Sequence, residues 1–242
     1  MKNKAIILLI FIIVIIAVIG IILAVRNSGE ENTTANNVNT EESNNEENQV
    51  IENTKETQGE TVNNETTNSN RVLVAVFSQG GEVYNVGNVE VGNTMMFANK
   101  IVDHFGDDAD LFHITTVEPY PESYDELTEV AREQLDSNAR PEIQGQVDNF
   151  EQYDTIFIGY PIWWGEIPPA VSTFLESYDF TGKTVIPFNT HEGSGSSGTY
   201  QDIANALSNA NVNTNGLAIR GTDAREESSR NTIENWLREL GY

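Results

Sequence analysis

The chain has 242 residues, 13 basic against 37 acidic, a net charge of −24, and no cysteine. The missing thiols exclude disulfides, thiolate metal sites, thiol catalysis and a lipid anchor built on cysteine. The charge excludes a nucleic-acid binder, because an acidic surface repels phosphate backbones, and favours a basic-faced partner.

Residues 5–25 run without a charge. A bilayer core about 30 Å thick takes roughly 20 such residues as helix. Lys2 and Lys4 precede the run and Arg26 follows it. The positive-inside rule then puts the N-terminus in the cytoplasm and the rest outside. A cleaved signal peptide has a shorter apolar core and small residues before the cut, and Leu23-Ala24-Val25 is a poor cleavage site. Residues 1–26 are thus expected to be an uncleaved membrane anchor. Residues 27–70 are mostly Asn, Glu, Thr and Ser. They hold too little apolar surface to offset the entropy of ordering, and are expected to be a disordered linker.

Residues 71–242 carry 9 basic and 27 acidic residues, a balance of −18. Here β-branched runs alternate with amphipathic stretches. Strands are predicted at 71–77, 110–115, 154–160, 183–189 and 211–219, and helices at 94–105, 122–135, 168–177, 199–207 and 224–240. The runs 72–77 and 155–159 are almost continuously apolar, which suits parallel strands covered on both faces. Tyr124, Leu127, Val130, Ala131 and Leu135 fall on one helical face. The pattern predicts a doubly wound α/β three-layer sandwich around a five-stranded parallel sheet.

In such a sheet ligands sit outside the carboxyl ends of the strands, where the strand order reverses. Three loops there are unusual. The first is Ser78-Gln79-Gly80-Gly81, followed by a longer stretch with Tyr84 and then Gly92-Asn93-Thr94 opening a helix. Glycines, hydroxyls and a helix N-terminus make a phosphate cradle. It contains no Lys or Arg, so it fits neither a triphosphate loop nor the dinucleotide fingerprint. A monophosphate ester or a plain helix cap at Asn93 or Thr94 both fit. The second loop, 160–169, holds Trp163 and Trp164 side by side. Two adjacent indoles are not expected to enter one core, so at least one should be exposed and ready to stack on a flat ligand, to cover the core as a lid, or to meet a protein. The third, 189–198, is rich in Gly and Ser and includes His191; it reads as a backbone edge for a planar heterocycle or as a flexible turn. His191 has no second histidine near it, and no ligand spacing marks a metal site. No Gly-x-Ser-x-Gly elbow is present, and no catalytic residue is expected.

Taken together these loops resemble the flavodoxin family, and in particular its short-chain bacterial members. The resemblance covers 71–242 and rests on Val74-Ala75-Val76-Phe77-Ser78, Gly92-Asn93-Thr94, Glu118-Pro119-Tyr120-Pro121, Asn138-Ala139-Arg140-Pro141, the block from Tyr153 to Gly165, Phe174-Leu175-Glu176, and Thr190 to Gly195. The most specific piece is Gly159-Tyr160-Pro161-Ile162-Trp163-Trp164-Gly165. The resemblance implies strand order 2-1-3-4-5, with FMN at the carboxyl edge. It implies that Ser78, Gln79, Gly92, Asn93, Thr94 and Met95 hold the FMN phosphate. Pro161, Ile162, Trp163, Trp164 and Gly165 would flank the isoalloxazine, one tryptophan stacking on it. Thr190, His191, Gly193, Ser194 and Gly195 would line its other edge. Residues 80–91 separate Ser78-Gln79 from Gly92 and depart from the compact family loop, leaving the roles of Gln79, Tyr84 and Glu90 open. The long insertion that splits the fifth strand in some members is absent. The functions implied are an FMN electron carrier serving a redox partner, or an FMN-dependent NAD(P)H reductase of a quinone or another small acceptor. A membrane-tethered binding module without flavin is the third.

Overall fold

The computed structural model describes residues 71–242; the expected anchor at 1–26 and linker at 27–70 lie outside them. Among the described residues no helix is long and apolar enough to cross a membrane.

Six strands form one parallel sheet: β1 (Arg71–Phe77), β4 (Ala109–Ile114), β5 (Tyr153–Pro161), β6 (Thr184–His191), β7 (Asn211–Val212) and β8 (Leu217–Arg220). The order is β4-β1-β5-β6, with β7 and β8 both paired to the outer side of β6. Counting β7 and β8 as one interrupted edge strand gives the expected 2-1-3-4-5 order. The interruption follows from Pro187 within β6. Val185 turns its carbonyl towards the edge strand, where it accepts from Asn213 N–H at 2.8 Å. The residue two places on faces the same way, and proline has no N–H to offer there.

Alternation along β1 divides the interior. Leu73, Ala75 and Phe77 face one core with α2 (Tyr124–Asp136), α3 (Pro169–Ser177) and α4 (Thr199–Ala206). Val72, Val74 and Val76 face the other with α1 (Asn93–Phe105), α5 (Gly221–Arg225) and α6 (Ser229–Leu240). Burial on both faces explains why β1 and β5 read as unbroken apolar runs.

The expected helix at 224–240 is broken into α5 and α6. The cause is distant in sequence. The buried Lys100 Nζ donates to the Ala224 carbonyl (2.8 Å), the Glu226 carbonyl (2.7 Å) and Ser229 Oγ (2.7 Å). A buried ammonium needs all three acceptors, and it takes them from the stretch where a continuous helix would run. Residues 80–91, expected as loop, contain a hairpin of β2 (Gly81–Val83) and β3 (Gly87–Val89).

Candidate functional site

The carboxyl ends of β1, β5 and β6 open on a cavity of about 510 Å³. Its size falls within the ordinary range for small-molecule sites.

One wall comes from the split first loop. Gly92 is packed so tightly that a β-carbon there would lie 2.1 Å from the Gln79 carbonyl oxygen and 2.5 Å from Ser78 Oγ. The chain leaves at Gln79, forms the hairpin, and returns to within contact of its starting point. The compact loop is thereby rebuilt across twelve intervening residues (80–91). Ser78 Oγ accepts the Met95 N–H at 3.0 Å and so caps α1 from outside. Neither Asn93 nor Thr94 is the N-cap; that position is Gly92, without a side-chain cap bond. The first turn of a helix leaves its N–H groups without intrahelical partners, and Asn93 and Thr94 stand at the cavity wall. Thr94 Oγ1 lies 2.7 Å from Thr190 Oγ1, joining this wall to the end of β6.

The second wall is the tryptophan loop, where the two indoles part. Trp163 is 9% exposed and meets Phe77 and Tyr120 edge-on, with centroids 5.1 and 5.2 Å away. Trp164 is 58% exposed. Trp163 and Glu166 exchange both backbone hydrogen bonds, at 3.1 and 2.8 Å, around Trp164 (φ 52°) and Gly165 (φ 86°). Two successive positive φ values mark a type I′ turn, which glycine accepts readily and tryptophan does not. The Trp164 ring is held outward by its Nε1–H, which donates to the Thr128 carbonyl at 3.1 Å, and by Arg132, 5.7 Å from the ring centre.

The third wall runs from Thr190 to Ser194. Ile162 N–H donates to the Thr190 carbonyl at 2.9 Å, tying it to the tryptophan loop. Asn189 Nδ2 donates to the Gly195 carbonyl at 3.1 Å, which ties down the glycine–serine run. His191 Nδ1 accepts the Gly193 N–H at 2.9 Å, so the ring's proton is on Nε2. Burial, and then the neighbouring Arg220, hold this histidine below its ordinary pKa. Burial raises the adjacent Glu192, opposed by hydrogen bonding from Asn85 and by Arg220.

The hairpin closes the remaining side. Glu82 N–H donates to the Glu122 carbonyl at 2.7 Å, and Glu82 Oε2 accepts the Tyr124 N–H at 3.2 Å. Tyr84 and Tyr124 then sit with ring centres 5.6 Å apart, both facing the cavity.

Of the residues singled out from sequence, Ser78, Gln79, Asn93, Thr94, Pro161, Ile162, Trp163, Trp164, Gly165, Thr190, His191 and Ser194 line the cavity. Gly92, Met95, Gly193 and Gly195 do not. Gly92 supports the loop by close packing, and the Met95 side chain joins the core around Phe97 while only its N–H serves the loop. Among the described residues no three His, Asp or Glu side chains converge to hold a metal ion.

A family model for flavodoxin matches residues 71–240. The chain belongs to the flavodoxin family. Among solved structures, a Bacteroides eggerthii protein assigned as a flavoprotein superposes with a TM-score of 0.57 at 26% identity, over 71% of this chain and 98% of its own. A Bacteroides uniformis protein of the same assignment gives 0.52 at 28% identity, over 69% and 97%. A flavoprotein from Lactobacillus acidophilus NCFM, solved in complex with FMN, gives 0.50 at 23% identity, over 66% and 99%; at that identity the likeness speaks for fold alone. No curated protein matches the chain. Within this flavodoxin-family domain, sequence reading missed Tyr124, Leu127 and Thr128 on the cavity wall. The apolar face of α2 was visible, but not that one end of it borders the site.

Proposed function

We propose that this chain binds FMN in the cavity and passes single electrons between a donor and a redox partner. One observation carries the proposal: a neutral phosphate cradle and an outward-held indole border the same cavity. The donors fit a monophosphate ester. Ser78 and Thr94 offer hydroxyls, the first turn of α1 offers N–H groups, and the glycine at 92 keeps the two halves of the loop together. An indole 58% exposed at the cavity wall fits a flat aromatic partner.

Bound FMN supplies the redox chemistry through its isoalloxazine, and the protein sets its environment. Trp164 would stack on the ring, and Thr190 and His191, which line the same cavity, would border its polar edge. Tyr84 and Tyr124 screen the cavity from water. No side chain is required to move a proton, so no catalytic residue is assigned. The −18 balance of 71–242 opposes the addition of further negative charge. Adding FMN to the full chain in mild detergent should quench flavin fluorescence at a one-to-one ratio. Redox titration of the complex should place the second electron at a lower potential than in free FMN. A potential at or above that of free FMN would remove the low-potential carrier role. Sustained NAD(P)H oxidation with a small acceptor would identify a reductase instead.

We further propose that residues 5–25 tether the domain to the outer face of the cell membrane. The uncharged run and the lysines before it support this reading. The full chain should sediment with membranes, and protease added to intact spheroplasts should digest the domain. Recovery in the soluble fraction, or protection from the protease, would refute the tether or its orientation.

A further inference from the structure

The phosphate cradle contains no cation in its own loop, but the fold brings one to it. Arg225 lies more than 130 residues along the chain from the loop, yet its Nη1 donates to the Val91 carbonyl at 2.8 Å and to Asn93 Oδ1 at 3.2 Å. Both bonds come from a single nitrogen. Among the described residues Nε and Nη2 make no hydrogen bond, so most of the guanidinium fork is uncommitted.

Two features bear on this placement, although Arg220 and Arg238 also form no carboxylate pair among the described residues. The domain has three acidic residues for every basic one. Four of its seven arginines, Arg71, Arg132, Arg140 and Arg230, are paired with carboxylates. Among the described residues Arg225 forms no such pair, although acidic side chains are abundant. It also stands beside the N-terminus of α1, the positive end of a helix, where a second positive charge is repelled. Both conditions become favourable if a dianion lies between them.

The arginine is also held in place from behind. Lys100 Nζ bonds to the carbonyls of Ala224 and Glu226, the residues on either side of Arg225. The start of α5 is pressed against the loop, since a β-carbon at Gly221 would lie 2.2 Å from Asn93 Nδ2. The backbone that carries the guanidinium is therefore fixed before any ligand arrives, which reduces the ordering cost of binding.

We infer that Arg225 is a specificity-determining residue, supplying the positive charge that makes the site select the phosphorylated flavin over its uncharged nucleoside-like form. This rests on the FMN reading above. The loop's neutral donors orient the phosphate, while Arg225 balances its charge. Because Arg225 is partly exposed, this preference should weaken with salt.

The test compares FMN with riboflavin, which carries the same ring and ribityl chain without phosphate. Kd values are measured by fluorescence quenching on the full chain in detergent, at low and high ionic strength. Arg225→Gln should weaken FMN about tenfold, the size of one charged hydrogen bond, and leave riboflavin within about twofold. Arg225→Lys should recover most of the FMN affinity, because it restores charge without the fork. The FMN-over-riboflavin ratio of the wild type should fall with added salt, and that of Arg225→Gln should fall less. Equal loss of both ligands in Arg225→Gln would make the residue a mere support for the loop and overturn the inference. So would an unchanged FMN Kd. A wild-type chain that takes up neither ligand would overturn the FMN reading itself, an outcome distinct from the other two.

Discussion

Trp163→Ala and Trp164→Ala are expected to fail in opposite ways, although the residues are adjacent and identical. Trp163 is buried between Phe77 and Tyr120. Its truncation should lower unfolding free energy by about 3–5 kcal/mol, as for other large-to-small core changes. Trp164 packs on little beyond Thr128 and Arg132, so its truncation should change stability by no more than about 1 kcal/mol. The same change should weaken FMN by about 1–3 kcal/mol, the worth of a flat heterocycle on an aromatic ring, or roughly 5- to 150-fold in Kd. Trp164→Gly sharpens the contrast. It relieves a left-handed backbone that costs a side-chain-bearing residue about 1–2 kcal/mol, so it should retain or gain stability while losing the flavin as alanine does. Denaturant unfolding and fluorescence titration on the four proteins would check this. If Trp163→Ala binds FMN worse than Trp164→Ala while unfolding at the wild-type midpoint, the stacking ring has been assigned to the wrong indole.

What was legible in the sequence divides by the range of the interaction responsible. The strands β1 and β5 could be drawn almost residue by residue, because burial on both faces writes an unbroken apolar run. The sheet order followed from the family motifs. That one of the two tryptophans must be exposed was also legible, but not which one. The choice is made by the I′ turn, and a Trp-Gly dipeptide announces only its second half. The hairpin at 81–89 escaped notice because its strands are three residues each and largely exposed, so no alternation of burial marks them. The break between α5 and α6 and the arrival of Arg225 at the cradle were invisible for a different reason. Each depends on a contact spanning more than 120 residues, and no local pattern encodes it. The break in the edge strand was missed, and one strand was drawn over 211–219, because the residue that lacks the donor, Pro187, lies on the neighbouring strand β6.

The split loop gives the second large expectation. Gly92 has φ −69° and ψ 161°, a conformation open to any residue, so a substitution there is opposed by space and not by backbone strain. The space is filled by the Gln79 carbonyl at 2.1 Å and Ser78 Oγ at 2.5 Å from a modest alanine β-carbon. The carbonyl is main chain in the loop just past the end of β1 and cannot swing aside as a side-chain tip would. Gly92→Ala should therefore separate the two halves of the cradle, lengthening the Ser78–Met95 hydrogen bond and moving the first turn of α1 away from the hydroxyls. Losing two charged hydrogen bonds to a phosphate corresponds to about 3–6 kcal/mol, at least a hundredfold in FMN Kd. Overpacking should lower global stability by only about 1–3 kcal/mol, since the site lies at the sheet edge and both cores are left intact. Riboflavin binding, which does not use the cradle, should fall much less than FMN binding. A Gly92→Ala chain that binds FMN within threefold of the wild type would mean that the phosphate is held elsewhere, and that the return of the chain to Gln79 after the hairpin serves folding alone.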